Sequence, residues 1–364
     1  MRGDKDQGEK TMTRSHGQSR RRFLQAGAAA SAALGARSLR AQGLHKLTAI
    51  YPTRSGASWP MYLAKEGGYY EKHGLDVSLR FGVHPVGIAG LVSGEVHFTN
   101  YSLDDVAAAV VRDPILVVMA SMLNRASFAL MARSDIANVE ALKGKRIGIG
   151  RVGDPPYHYT SALLKGYGLK PTDIQWVPTG ADANARATML IGGQIDAVLL
   201  TAPAWYRLEE HGLKPLTLIE DHENIVISTG YTFKKSWVAA NPELPERIIR
   251  AQAEAVQGFY ADKAAAVAAY RKYDPAISKT DAARVYDSYK AKNLLDRIPL
   301  LPLAAAAATV ERIGGDIAAV KAFDFQQAID MRVVRRLVAE GFFEKLHGPG
   351  IKAEQERKLK DAFT

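Results

Sequence analysis

Apolar positions along residues 44–218 fall into two alternating rhythms. Leu47-Thr48-Ala49-Ile50-Tyr51 reads as a strand, and Pro60 to Lys72 as a helix with its proline in the first turn. Leu75–Phe81 alternates apolar and polar residues at a period of two, a second strand. Helix Val86–Val92, strand Val96–Thr99, helix Asp104–Val111 and strand Ile115–Met119 follow. A break at Ser121–Arg133 precedes a restart: strand Arg146–Gly150, helix Pro156–Tyr167, strand Ile174–Val177, helix Ala183–Ile191, strand Ala197–Leu200 and helix Trp205–Glu210. Ile225–Phe233 is again strand-like, and from Pro242 onward the chain is Ala-, Arg- and Lys-rich and reads as helical. Strands alternating with helices imply βαβ units. Two such sets predict two doubly wound α/β lobes with a helical C-terminal region.

The first 42 residues follow neither rhythm. Ser19-Arg20-Arg21-Arg22-Phe23-Leu24-Gln25 sits behind a polar leader, and a soft apolar run, Ala26 to Ala36, follows it. Leu39-Arg40-Ala41 then puts a small residue where a signal peptidase cuts. A charged region, a short apolar region and a small-residue exit make a secretory signal. The adjacent arginines before Phe-Leu resemble the twin-arginine export signal, with Gln25 in place of its lysine. The apolar run is short of the ~20 residues that span a bilayer. The resemblance implies passage through the twin-arginine translocase and a periplasmic destination.

That leader changes the charge argument. Residues 1–42 hold nine Lys/Arg and three acids, six of the formal +10, which leaves the remaining 322 residues near +4. So small a charge gives no reason to expect a nucleic-acid partner. The chain has no cysteine, which excludes disulfides, thiolate metal ligands and thiol catalysis.

Catalytic motifs are absent as well. Gly148-Ile149-Gly150-Arg151-Val152-Gly153 is formally G-x-G-x-x-G, but Asp154-Pro155-Pro156 moves the helix start beyond Gly153, where a dinucleotide site needs the third glycine inside the helix. The same loop, opening a helix, suits an anionic group. No cofactor and no metal is expected. Trp59, Tyr157 and Trp205 fall where strands hand over to helices, where an aromatic either stacks on a ligand or packs in the core. His84 and His158, in loops that open helices, are ligand contacts or ordinary surface histidines.

Four further segments together resemble one family. Ser58-Trp59-Pro60-Met61-Tyr62-Leu63-Ala64-Lys65-Glu66-Gly67-Gly68-Tyr69-Tyr70 with His73-Gly74-Leu75-Asp76-Val77 is its opening. Leu91-Val92-Ser93-Gly94-Glu95-Val96-His97-Phe98, Leu142-Lys143-Gly144-Lys145-Arg146-Ile147-Gly148-Ile149 and Gly192-Gly193-Gln194-Ile195-Asp196-Ala197 follow in order. They resemble the periplasmic substrate-binding proteins of ABC importers for sulfonates, taurine, nitrate and thiamine-pyrimidine precursors, with His97 replacing a usual acid.

The resemblance implies a type II periplasmic binding protein fold. It divides the chain into a signal peptide at 1–42, a first lobe from 43–125 and 229–364, and a second lobe at 126–228. It implies a monomer that captures a small organic anion (sulfonate-, carboxylate- or pyrimidine-like) by hinge closure and delivers it to an ABC permease, without catalysis. Matching positions in the loops after the strands are Ser55 and Gly56, His84, Asn100 and Tyr101, then Gly153, Thr201, Ser228 and Thr229. Arg54 and Arg151 are candidate charge partners for the anion, and Trp59, Tyr157 and His158 complete the expected site. Two other readings share the fold: an enzyme of cofactor biosynthesis and a binding subunit of a membrane sensor. The pyrimidine synthase among such enzymes uses a Cys-rich segment that this chain lacks.

Overall fold

Two five-stranded sheets carry the architecture. The computed structural model describes residues 43–83, 86–125, 127–180, 182–222 and 225–364; the export signal read in residues 1–42 and the candidate His84 lie outside them. In the first sheet β1 (His45–Tyr51) pairs parallel with β2 (Leu75–Phe81) and β3 (Phe98–Ser102). The second sheet contains β5 (Phe128–Ala132), β6 (Arg146–Ile149), β7 (Gln175–Pro178), β8 (Ala197–Thr201) and β9 (Pro215–Leu218). The first sheet is completed by β4 (Leu116–Ala120) and by β10 (Thr229–Lys234).

Strand order is β2-β1-β3-β10-β4 in one sheet and β7-β6-β8-β5-β9 in the other. Each sheet is therefore mixed: β10 runs antiparallel to β3 and β4, and β5 antiparallel to β8 and β9. In both, one strand arrives from the far side of the molecule and inserts fourth in the order. The parallel βαβ pairing expected from the alternation is found in β1, β2 and β3 and in β6, β7 and β8, and each sheet adds antiparallel pairings. Phe128–Ala132 forms a strand where the sequence showed a break, because it is flanked on both edges and packs four of its five residues out of solvent.

Two crossover segments join the sheets, Ser121 to Ser127 and Ile219 to Ser228, and they run side by side. Thr229 N donates to Leu123 O at 3.0 Å. Asn124 ties them further, its Oδ1 accepting from Ser121 Oγ (2.9 Å) and Ser228 Oγ (2.8 Å) while its Nδ2 donates to Asp296 Oδ2 at 2.8 Å. A buried polar cluster with its partners met fixes these segments in one arrangement.

The C-terminal half is helical, as its composition predicts. Helix Leu244–Ala261 and helix Lys263–Tyr273 pack on helix Trp59–Glu66, burying Trp59, Phe259, Tyr270 and Tyr286 together. Helix Leu303–Ile313 packs on Leu103–Val110 of the first sheet's layer and on Pro155–Gly166 of the second's. Its Arg312 is buried between them. The guanidinium donates to Asp104 Oδ2 (2.9 Å), to Asp104 Oδ1 (2.7 Å) and to the crossover carbonyl of Val226 (2.5 Å). No described helix is long and apolar enough to cross a membrane.

Candidate functional site

The carboxyl ends of β1, β2, β6 and β8 converge on a cavity of about 260 Å³ between the sheets. That edge is where open α/β sheets present ligands to their loops. Register explains its walls. Thr229, the first residue of β10, lies opposite Ser102 at the end of β3, and Phe128, the first of β5, lies opposite Thr201 at the end of β8. All four line the cavity.

Five charged residues line it as well: Arg54, Arg151, Arg186, Asp154 and Asp182. Both acids are spent on the chain's own backbone. Asp154 caps helix Pro155–Gly166, its Oδ1 accepting from Tyr157 N and its Oδ2 from Arg151 N, each at 2.9 Å. Asp182 caps helix Ala183–Ile191 by accepting from Ala185 N at 2.9 Å. Such caps contribute about 1 kcal/mol each. The anion-accepting helix start expected after Gly153 is thus already filled by a carboxylate of this protein, and the helix begins at Pro155, which removes the dinucleotide geometry.

The cations come from both layers. Arg54 comes from the first sheet's layer; its guanidinium lies 4.1 Å from the Phe81 ring centroid and 3.9 Å from Asp182 Oδ2 of the second. Arg186 sits in the first turn of helix Ala183–Ile191 with 7 % of its surface exposed. Burial pulls its pKa below the usual arginine range, while Asp154 and Asp182 oppose that shift; a guanidinium stays charged regardless. Three cations against two carboxylates leave the lining one positive charge in excess. Helix Trp59–Glu66, whose preceding turn Ser55 and Ala57 bring to the cavity, has no acid in its first turn and adds its positive dipole end.

Large apolar or aromatic side chains supply another part of the wall: Phe81, Leu123, Phe128, Tyr159, Ile227 and Tyr289. Among the polar atoms facing the site, Thr229 Oγ1 is buried with no partner among the described residues.

Of the residues singled out from sequence, Arg54, Ser55, Arg151, Thr201 and Thr229 line the cavity. Three others support it. Gly56 lies against the Tyr289 ring, so closely that a Cβ there would meet Cζ at 2.3 Å. Asn100 is buried on β3 and donates to Ala57 O at 2.9 Å, its Oδ1 without a partner among the described residues. Ser228 belongs to the crossover network described above. Tyr101 is buried, its hydroxyl bonded to Gly82 O and Gly87 N, which fixes the loop after β2.

The remainder lie away from the cavity. Trp59 is wholly enclosed in the first layer's core and donates its indole N–H to Ala266 O at 2.8 Å. Tyr157 packs edge-on against Trp176 with centroids 4.8 Å apart. His158, with its Nε2 3.1 Å from Gly153 O, belongs with Gly153 to a neighbouring hollow. Sequence reasoning missed Arg186, Asp182, Phe128 and Tyr289. A charged residue amid alanines, in the first turn after a strand's end, is the signal that would have found Arg186.

Comparison with known proteins places this cavity in context. A family model described as NMT1/THI5 like matches residues 56–266. A 4-amino-5-hydroxymethyl-2-methylpyrimidine phosphate synthase of Saccharomyces cerevisiae is 25 % identical over 244 residues, 62 % of this chain and 70 % of the synthase. The taurine-binding periplasmic protein of Escherichia coli is 30 % identical over 179 residues, 48 % of this chain and 54 % of that protein. The structure of a putative periplasmic sulfonate-binding protein from Methylobacillus flagellatus superposes with a TM-score of 0.65 at 21 % identity, covering 84 % of this chain and 96 % of that one. The fold is that of the periplasmic binding proteins, as the resemblance implied. Relatives include both binding proteins and synthases.

Proposed function

The chain belongs to the NMT1/THI5-like family, and from that premise together with the charge of its cleft we propose that it is an extracytoplasmic solute-binding protein for a small organic anion. One observation carries the reading: a buried guanidinium, Arg186, in a cavity whose lining holds one cation more than it holds carboxylates. A sulfonate or carboxylate restores neutrality and accepts paired N–H bonds from the arginine fork. Binding is favoured over catalysis because both lining acids serve as helix caps, Asp154 with both oxygens on backbone N–H groups and Asp182 with Oδ1, its Oδ2 facing Arg54. Export by the twin-arginine route, a monomeric state and delivery to an ABC permease complete the proposal.

The work done is closure. Arg54 and Arg186 stand on opposite layers, so an anion touching both stabilises the closed arrangement by its differential affinity for it. Thermal unfolding against a panel of sulfonates, carboxylates, nitrate and pyrimidines tests this. A ligand at 1,000 times its dissociation constant adds about 4 kcal/mol. A flat response to every anion in the panel refutes the proposal.

A further inference from the structure

Several large apolar side chains line the cavity. The first crossover supplies Leu123, the second Ile227, and both side chains are almost wholly buried. Phe128 opens β5 directly after the first crossover, its ring 5.5 Å from that of Tyr159 in an edge-on contact. Tyr289 closes the same wall against Gly56. The charged groups are grouped elsewhere: Arg186 and Asp182 lie on one helix start, Arg54 faces Asp182, and Asp154 and Arg151 share a hydrogen bond between Arg151 N and Asp154 Oδ2.

A polar group placed against the carbon surface of these side chains loses water without gaining a partner there, at a cost that buried polar groups carry. An aromatic or branched apolar body meets ring faces and edges instead, and releases water from both surfaces. The volume, about 260 Å³, lies near the lower end for ligand pockets and admits a ring-sized body with its acidic head.

Resting on the small-anion reading above, we infer that the ligand is amphipathic: a single anionic head held at Arg186 and Arg54, and a ring-sized apolar body seated on Leu123, Phe128, Tyr159, Ile227 and Tyr289. The geometry disfavours a second charge. A ligand with an ammonium group beside its acid, such as taurine, meets no uncommitted carboxylate: Asp154 accepts from backbone N–H groups with both oxygens, Asp182 Oδ1 caps its helix, and at Asp182 Oδ2 the ammonium competes with Arg54.

Calorimetric titration of the full chain with benzenesulfonate, benzoate, methanesulfonate, taurine and nitrate tests the inference. Benzenesulfonate or benzoate is expected to bind at least tenfold more tightly than methanesulfonate, taurine or nitrate. Phe128→Ala is expected to weaken benzenesulfonate about tenfold while changing methanesulfonate less than twofold. Taurine or nitrate binding as tightly as the aromatic acids overturns the inference and leaves the anion reading standing. Failure of every anion to bind overturns both. If Phe128→Ala does not fold, the wild-type ranking decides alone.

Discussion

Removing the Arg312 side chain beyond its stem, as Arg312→Met, isolates the contribution of the helix that spans both layers. Arg312 and Asp104 side chains are 5 % and 3 % exposed, so the carboxylate left behind cannot turn to water. Of its three bonds, the two from the guanidinium vanish and the one from Thr309 Oγ1 at 3.0 Å remains. Breaking a buried pair by deleting one partner costs about 3–5 kcal/mol. With a urea slope near 3 kcal/mol/M, the upper part of the usual range, the unfolding midpoint should fall by roughly 1–2 M. The double variant Arg312→Met with Asp104→Leu removes the stranded charge and should recover most of that loss. Urea titration followed by circular dichroism measures both. A loss under about 1 kcal/mol for the single variant, or a double variant no more stable than the single, refutes the argument that an uncompensated charge is the cause.

Four further outcomes follow from named contacts. Arg186→Lys keeps the charge but loses the planar fork, so sulfonate affinity measured by calorimetry should fall about 10-fold or more. Gly56→Ala places a methyl 2.3 Å from the Tyr289 ring; an overpacking cost of about 1–3 kcal/mol in chemical denaturation is expected, with weakened ligand binding. The third concerns His347, whose pKa burial and then the charge of Arg297 lower from 6.5 to about 4. The folded state resists protonating it and the unfolded state does not. Its contribution is therefore complete above pH 6.5 and is lost as pH falls toward 4, and His347→Gln should flatten that part of a stability–pH profile. Finally, Arg20→Lys with Arg21→Lys should hold the precursor in the cytoplasm on fractionation; normal export of that variant would exclude the twin-arginine route.

The parallel strands were legible because their apolar residues come in short β-rich runs bounded by turns, as in Leu75–Phe81. Both inserted strands were harder. Phe128-Ala129-Leu130-Met131-Ala132 has no alternation and no β-branched residue, since it is covered on both faces and its neighbours decide its conformation. Ile225-Val226-Ile227 looks like the start of β10 yet precedes it: Ile227 lines the cavity and the Val226 carbonyl accepts from Arg312 instead of from a ladder. In the site, loop positions after β1 and β8 were readable from the order of strands. Trp59 was not: a tryptophan at a strand–helix junction has the same sequence signature whether it lines a cleft or, as here, anchors a core with Phe259 and Tyr270. Arg186 escaped because its burial is set by packing between elements distant in sequence, although a charged residue amid alanines just after Asp182 was a local hint.

The insertion of β10 between β3 and β4 also sets an order of assembly. The second sheet is complete in one stretch of chain, 128–218, whereas β3 and β4 share no ladder until residues 229–234 arrive between them. A chain emerging from the ribosome can therefore finish its middle before its beginning. Until then the first layer exists as a three-stranded fragment and a separate edge, joined only by contacts distant in sequence, which form slowly because loop closure precedes their reward. Such a delay keeps unpaired strand edges open for longest in the layer that the last helices cover.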